Sequence, residues 1–393
     1  MKRFLIAAMA LATIVSCSKD ENFKALESGS KSVSITIGNA VDATRADYVG
    51  GDTTPGTKNQ TACAEATELK VLFVNSKNVV LKELSLTAQA NADSHPEGTP
   101  EYTVGKSTAT DTYVWHNVPW DVTKIAVVRY ESGDITIKSG ETTLSDIVKV
   151  ATDEGKNVAR ELEDIVLYGT NDLTNTGKTH QVGDFIYHVW STTVVVEPLL
   201  ARVEITGLSC SDLGDYNWDE NTDGTPNNKT MGFDEIAIKS MVWTARTGGN
   251  TYSTILPDED ATILGTLYGS YVSGPNTPAG HPGVKKSLAP TNAWSWNVDP
   301  DKTQFGSMTV DMDVKAYDYA VVETNQPLNI EGLSTSNAEG ATADVTFKKG
   351  NIYRFNIPFT EDDIKTTEDG LCVEVTVEIA KWTVNTVYPI FGN

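Results

Sequence analysis

Leu371-Cys372-Val373-Glu374-Val375-Thr376-Val377-Glu378-Ile379 alternates apolar and polar residues without a break. That pattern marks a strand with one face in a core and the other in water. At Ala380-Lys381 the register breaks. The apolar set moves to the other parity as Trp382, Val384, Tyr388 and Ile390, with Thr386 between them. A slip of one residue turns every side chain to the opposite face, so the change of parity predicts a bulge or bend and a second strand. Residues 371–393 therefore read as two strands, the second free to complete a sheet.

The same alternation occurs near the other end, in Val33-Ser34-Ile35-Thr36-Ile37 and on to Val41. Before it, Lys2 and Arg3 lead into the apolar run Phe4 to Val15, which ends Ile14-Val15-Ser16-Cys17. The run is too short to span a bilayer and has the layout of an export signal, with Cys17 placed as in a bacterial lipobox. Residues 18–30 read as a polar tether. After the strand, Thr44-Arg45-Ala46 stands beside Gly50-Gly51 and Pro55-Gly56, an accessible position for a trypsin-like protease.

Composition narrows the class. The 393 residues carry 31 Lys and Arg against 53 Asp and Glu, a net charge of −22. With residues 1–45 set aside, 25 cationic residues face 49 anionic ones, a net of −24. Such a chain is ill suited to nucleic acid or an anionic membrane face. Cys17, Cys63, Cys210 and Cys372 have no metal-ligand spacing. If Cys17 carries lipid, at most one disulfide remains to be made, so disulfides do not hold the fold together.

Between the two ends, short β-type runs recur at 68–74, 79–81, 102–104, 112–115, 124–130, 165–168 and 186–196. Asn75 to Asn78 reads as a hairpin turn. One segment differs: Leu144, Ile147, Val148 and Ala151 fall at helical spacing behind a capping box at Thr143-Leu-Ser-Asp146. Glu197-Pro198 interrupts the strand pattern, and a new alternation starts at Leu200-Ala-Arg-Val203-Glu-Ile205. The reading is an all-β chain with a few short helices. Its parts are a signal over 1–17, a propeptide over 18–45, and domains over 46–198 and 199–393.

Catalytic signatures are absent. His95, His116, His180, His188 and His281 form no metal or triad motif, and no phosphate or dinucleotide loop occurs. Neither an enzyme nor a cofactor is expected. Asp219, Asn221 and Asp223, followed by Gly224, imitate the first half of a calcium loop, but Pro226 and Thr230 break the pattern. Trp294 and Trp296 share one strand parity. They pose two alternatives, a glycan-stacking platform on a monomeric surface lipoprotein or simple core packing.

Taken together, the lipobox, the strand before Thr44-Arg45-Ala46, Lys348-Lys-Gly350-Asn-Ile-Tyr353-Arg-Phe355, Val373 to Trp382 and Val387-Tyr-Pro389 resemble the fimbrillins of Bacteroidetes, the FimA/Mfa1-like pilus subunits. The resemblance implies two transthyretin-like β-sandwich domains in tandem. It implies a precursor lipidated at Cys17 in the outer membrane and cut between Arg45 and Ala46 by an arginine-specific protease. The strand carrying Val33, Ile35, Ile37 and Val41 would then be displaced. The donor strand of another copy, or of a related subunit, would take its place with Trp382, Val384, Thr386, Tyr388 and Ile390. The product would be an extracellular fimbrium, with this chain as a shaft subunit or, alternatively, an accessory or tip-proximal one. Asp52-Thr53-Thr54 also resembles an O-glycosylation triplet.

Overall fold

A computed structural model describes residues 30–39, 64–65, 69–85, 101–105, 112–160, 164–182, 185–214, 233–254, 256, 261–269, 283–290, 293–316, 322–335, 346–365, 371–381 and 386–387. The first half comprises β1 (Ser30–Asn39), β2 (Ala64–Glu65), β3 (Lys70–Asn75), β4 (Val80–Ser85), β5 (Glu101–Gly105), β6 (Thr112–Pro119) and β7 (Val122–Arg129). Helices α1 (Leu144–Ala151) and α2 (Glu154–Asn157) follow, then β8 (Leu167–Asp172), β9 (Thr174–Val182) and β10 (Phe185–Pro198). The second half comprises β11 (Ala201–Cys210), β12 (Phe233–Thr244), β13 (Thr251–Ser253), β14 (Gly265–Tyr268), β15 (Ser287–Leu288), β16 (Trp294–Val298), β17 (Ser307–Ala316), β18 (Val322–Thr335) and β19 (Asn351–Phe359). It closes with α3 (Glu361–Lys365), β20 (Leu371–Lys381) and β21 (Thr386–Val387). The chain is all-β with short helices, as the alternating segments predict.

The strands form two large sheet systems that share no strand, and β2 and β21 form a separate two-stranded ladder. In the first, β9-β10-β1-β6-β5 makes one layer and β4-β3-β7-β8 the other. They join where Glu197 and Pro198 leave the first layer to pair with Tyr168 and Leu167 of β8. One apolar cluster draws on both layers, with Val33, Ile35, Tyr113 and Val194 from one and Phe73, Ile125 and Val127 from the other. That is the core of a sandwich. Gly169 sits at the junction: a Cβ there would lie 2.0 Å from the Val195 carbonyl oxygen, so only glycine lets β8 come this close to β10.

β3 is buried on both faces, which explains its unbroken apolar run of Val71, Leu72, Phe73 and Val74. Its outer face, with Leu72 and Val74, and the adjoining Ala126 and Val128 of β7 are covered by Leu144 and Ile147 of α1. The helix begins where the sequence places it. The Thr143 side chain accepts from the Asp146 N–H at 3.3 Å, and the Asp146 carboxylate accepts from the Thr143 N–H at 2.9 Å. Residues 75–78 form the expected hairpin turn between β3 and β4, with Asn78 at φ 61°.

The second system repeats the device of one strand serving two layers. β20 pairs in parallel with β18 through Leu371, Val373, Glu374 and Val375. It then pairs antiparallel with β19 from Thr376 to Lys381. The alternating stretch 371–379 is thus an internal strand of its own chain. Trp243 centres this core, with Tyr252, Phe305, Phe347 and Trp296 at ring-centroid distances of 4.6, 5.6, 5.8 and 6.1 Å.

The segment after α2 ties the first half to the second. Asn297 donates through Nδ2 to the carbonyls of Asn157 and Arg160, at 2.8 and 2.7 Å, and through its backbone N–H to Val158 at 2.9 Å. Arg202 also donates to the Arg160 carbonyl, at 3.0 Å. The carbonyls at the end of a short helix and just beyond it have no helical i+4 partner. Glu154, at the start of α2, accepts from the Asp299 N–H and the Thr303 hydroxyl at 2.7 and 2.8 Å. Arg160 in turn grips Asp134 with both terminal nitrogens, at 2.7 and 2.6 Å, and holds that carboxyl below the usual carboxylate range.

Candidate functional site

The alternating strand near the N-terminus is not an edge. β1 lies inside the first layer, between β10 and β6. It runs parallel to β10 from Ser32↔Val189 to Asn39↔Val196 without a shift in register. It runs antiparallel to β6, with a register shift between Lys31 and Val33 where β6 uses an additional residue. The period-two set points inward: Val33 and Ile35 are 0% exposed and Ile37 is 2% exposed. Each such burial contributes about 1.5–3 kcal/mol relative to exposure. Tyr113, Trp115 and Phe73 line the core beside them, with Phe73 edge-on to Trp115 at 5.8 Å.

The N-terminal end of β1 carries polar groups that are equally buried. The Ser32 hydroxyl lies 2.7 Å from Nδ1 of His116, and the His116 ring stacks on Tyr187 at 5.7 Å. Lys31 is 1% exposed. Its Nζ donates to the Val122 carbonyl and lies 4.4 Å from the Trp190 ring centroid and 5.7 Å from that of Trp120. Burial pushes the Lys31 amine down to about 8, with the nearby Asp121 acting in the opposite direction.

Taken away, β1 would leave β6 and β10 facing each other across a missing strand. The vacancy would be one strand long, with two rows of unpaired backbone groups and an apolar floor, a site for strand addition. Beside it, Thr36, Asn171, Asp172, Ser191 and Thr193 line a shallow polar recess that offers hydroxyls and one carboxylate.

Of the other residues singled out in the sequence, Thr386 pairs with Ala64 in the parallel ladder of β2 and β21. Cys17, Val41, Arg45, Ala46, Trp382, Val384, Tyr388 and Ile390 lie outside the described residues, as do Asp219, Asn221 and Asp223. Among the described residues no cluster of three or more metal-ligating side chains occurs, and no helix is long and apolar enough to cross a membrane. Cys210 is a free, buried thiol, raised well above its ordinary value chiefly by burial. The glycan-platform alternative meets a contrary finding. Trp294 and Trp296 are 9% and 4% exposed, and Trp296 Nε1 donates to the Ser253 carbonyl at 3.1 Å, so both belong to the core.

Of the buried polar groups at this end of β1, Lys31 leaves a mark in the sequence. It shares parity with Val33, Ile35 and Ile37, and a charged residue in phase with an apolar face is a signal for a buried amine. His116 carries no such signal, because its partner Ser32 lies 84 positions away.

The arrangement is that of an all-β protein of paired sheet layers whose first strand is held inside the first sheet. No protein-family model matches the chain, and no curated protein matches it. Among solved structures it is similar to a candidate cell adhesion protein from Bacteroides eggerthii, with 13% identity and a TM-score of 0.47, covering 92% of this chain and 98% of that one. It is similar also to another from Parabacteroides distasonis, with 8% identity and a TM-score of 0.44, covering 92% and 99%. A fimbrilin (FimA) from Porphyromonas gingivalis is a further one, with 12% identity and a TM-score of 0.38, covering 90% and 98%.

Proposed function

We propose that this chain is a structural subunit of a cell-surface fimbria, in the shaft, and that it polymerises by strand exchange. It is exported as an outer-membrane lipoprotein lipidated at Cys17. An arginine-specific protease cuts between Arg45 and Ala46, and β1 leaves its slot between β6 and β10. The strand from Trp382 to Ile390 of a second copy then enters. The subunit comprises two domains, 46–198 and 199–393, each built on one sheet system, and it performs no catalysis.

The observation that carries this reading is the placement of β1. The first described strand is the central strand of its five-stranded layer, and every partner in its sheet is reached only through the segment containing Arg45. One peptide-bond cleavage therefore converts a covalent strand into a bound peptide. A strand donated by a neighbour satisfies the exposed backbone groups, and head-to-tail addition of this kind is open-ended, so it yields a filament.

The test is treatment of the full-length chain with an arginine-specific protease, with Arg45→Ala as control, read by electron microscopy and N-terminal sequencing. Filaments from a chain beginning at Ala46, and none from the control, are expected. Cleavage at that bond that leaves only monomers would overturn the reading.

A further inference from the structure

The slot differs along its length, and one corner of it is poorly matched to the strand it holds. From Val33 to Ile37 the floor is apolar and the side chains on it are apolar. At Lys31 the surroundings are aromatic: Trp190 and Trp120 meet edge to face at 6.1 Å, and His188 lies 6.1 Å from Trp120. The side chain placed there is a primary amine on a four-carbon stem, almost wholly removed from water. Aromatic faces and the Val122 carbonyl return part of the lost hydration, but a buried cation remains less favourable than an uncharged side chain of like size. The downward displacement of its titration agrees, since it means that the corner disfavours the charged form.

The tail has the same period as β1 and differs from it at this point. Laid in the direction of β1 with Val384 at the position of Val33, it puts Thr386 at Ile35, Tyr388 at Ile37 and Ile390 at Asn39. The residue that then falls at Lys31 is Trp382. Resting on the strand-exchange reading above, we propose that the Lys31 corner, formed by Trp120 and Trp190, is the seat of Trp382 from a second copy of the chain. The leader strand is thereby underbound at one end and gives way there first.

The exchange replaces a buried amine with an indole, which brings on the order of 150–250 Å² of apolar surface into an aromatic corner. Trp120 stands on the turn between β6 and β7 and is 40% exposed, so it has solvent on one side into which it can swing as a bulkier group enters. The two strands are otherwise comparable. Val matches Val, Thr386 is a weaker apolar partner than Ile35, and Tyr388 is a larger one than Ile37. The difference at the corner decides which strand is held more tightly.

The experiment uses the full-length chain cut by an arginine-specific protease. Retention of the leader fragment is followed by size exclusion and mass spectrometry, and assembly by light scattering. Lys31→Met is expected to slow loss of the cut leader, and with it assembly, by about tenfold. Trp382→Lys is expected to lower the assembly rate by about tenfold or more, and Trp382→Phe to leave it near the parent. The uncut variants should melt at or above the parent, which separates these effects from misfolding. A photo-crosslinking phenylalanine at 382 should attach near Trp120 or Trp190 of the neighbouring copy.

Assembly of Trp382→Lys at the parental rate would overturn the proposal and leave strand exchange standing. So would crosslinks from 382 at the far end of the slot, near the position of Asn39, because the reverse direction seats Ile390 in the corner. Failure of the cut parental chain to form filaments would remove strand exchange itself, and this inference with it.

Discussion

Ser32 and His116, 84 positions apart in sequence, meet at 2.7 Å between the hydroxyl oxygen and Nδ1 in a site where both are buried. This bond pins the N-terminal end of β1 to β6 at the place where their ladder shifts register. Ser32→Ala should therefore cost about 1–2 kcal/mol of the stability of the intact chain. The loss should appear as a lower urea midpoint and as faster amide exchange confined to β1 and its two neighbours. Unchanged exchange in β1 would show that the bond does not hold the strand.

Ile35 is the central apolar residue of β1 and is fully buried. Ile35→Ala removes atoms from a core that both layers build, and such truncations cost about 2–5 kcal/mol. In the uncut chain, denaturation should shift by that amount. After cleavage, the leader should dissociate faster than from the parent. Equal dissociation would mean that side-chain burial does not govern how β1 is retained.

Lys31 gives a pH dependence whose sign is fixed. Its folded pKa of about 8 lies below the ordinary 10.5, so between these values the unfolded chain binds more protons than the folded one. The contribution of this group to stability therefore rises as pH climbs from about 8 to 10.5 and is constant outside that window. Other groups titrate there too, so the measurement is the stability of the parent minus that of Lys31→Met at pH 7 and at pH 10. The difference should move in favour of the parent at the higher pH. A difference independent of pH would contradict the buried, depressed amine.

Asn297 holds the end of α2 through three hydrogen bonds, two of them from its side chain. Asn297→Leu keeps the volume and removes both side-chain donors. The Arg160 carbonyl retains the Arg202 guanidinium and the Asn157 carbonyl retains the Arg160 N–H, but the Oδ1 that accepts from Arg202 at 3.2 Å is lost as well. Each net hydrogen bond lost costs about 0.5–1.5 kcal/mol, so a total of about 1–3 kcal/mol is expected. A lower melting temperature and weaker amide protection over 153–160 are expected. If protection there is unaltered, Asn297 does not clamp the segment.

Much of this architecture was legible from local patterns. Val33, Ile35 and Ile37 announce an inward face by period alone, Thr143 and Asp146 announce the start of α1, and Leu371 to Ile379 announces a strand before its neighbours are known. What period two cannot supply is the identity and direction of the neighbour. The parallel pairing of β1 with β10 joins Val33 to Trp190, and that of β11 with β19 joins Arg202 to Ile352. Both depend on long crossovers that leave no local mark. The polar contacts were hidden for a related reason. Asn297 looks like any asparagine in a strand, and its partners at 157 and 160 lie about 140 positions earlier.

The unshifted parallel register between β1 and β10, eight residue pairs from Ser32 to Asn39, has a mechanical consequence. β10 continues within three residues into β11, and β11 is laddered to β19, which is laddered to β20. Tension applied at Lys381 and at a strand seated in the slot would run along strand axes throughout. The ladder at the slot would then be loaded in shear, all its bonds resisting together, and not peeled open from one end. A joint of that geometry slides only when the whole overlap fails. The length of the register, more than the strength of any single contact, would set the force at which two copies part.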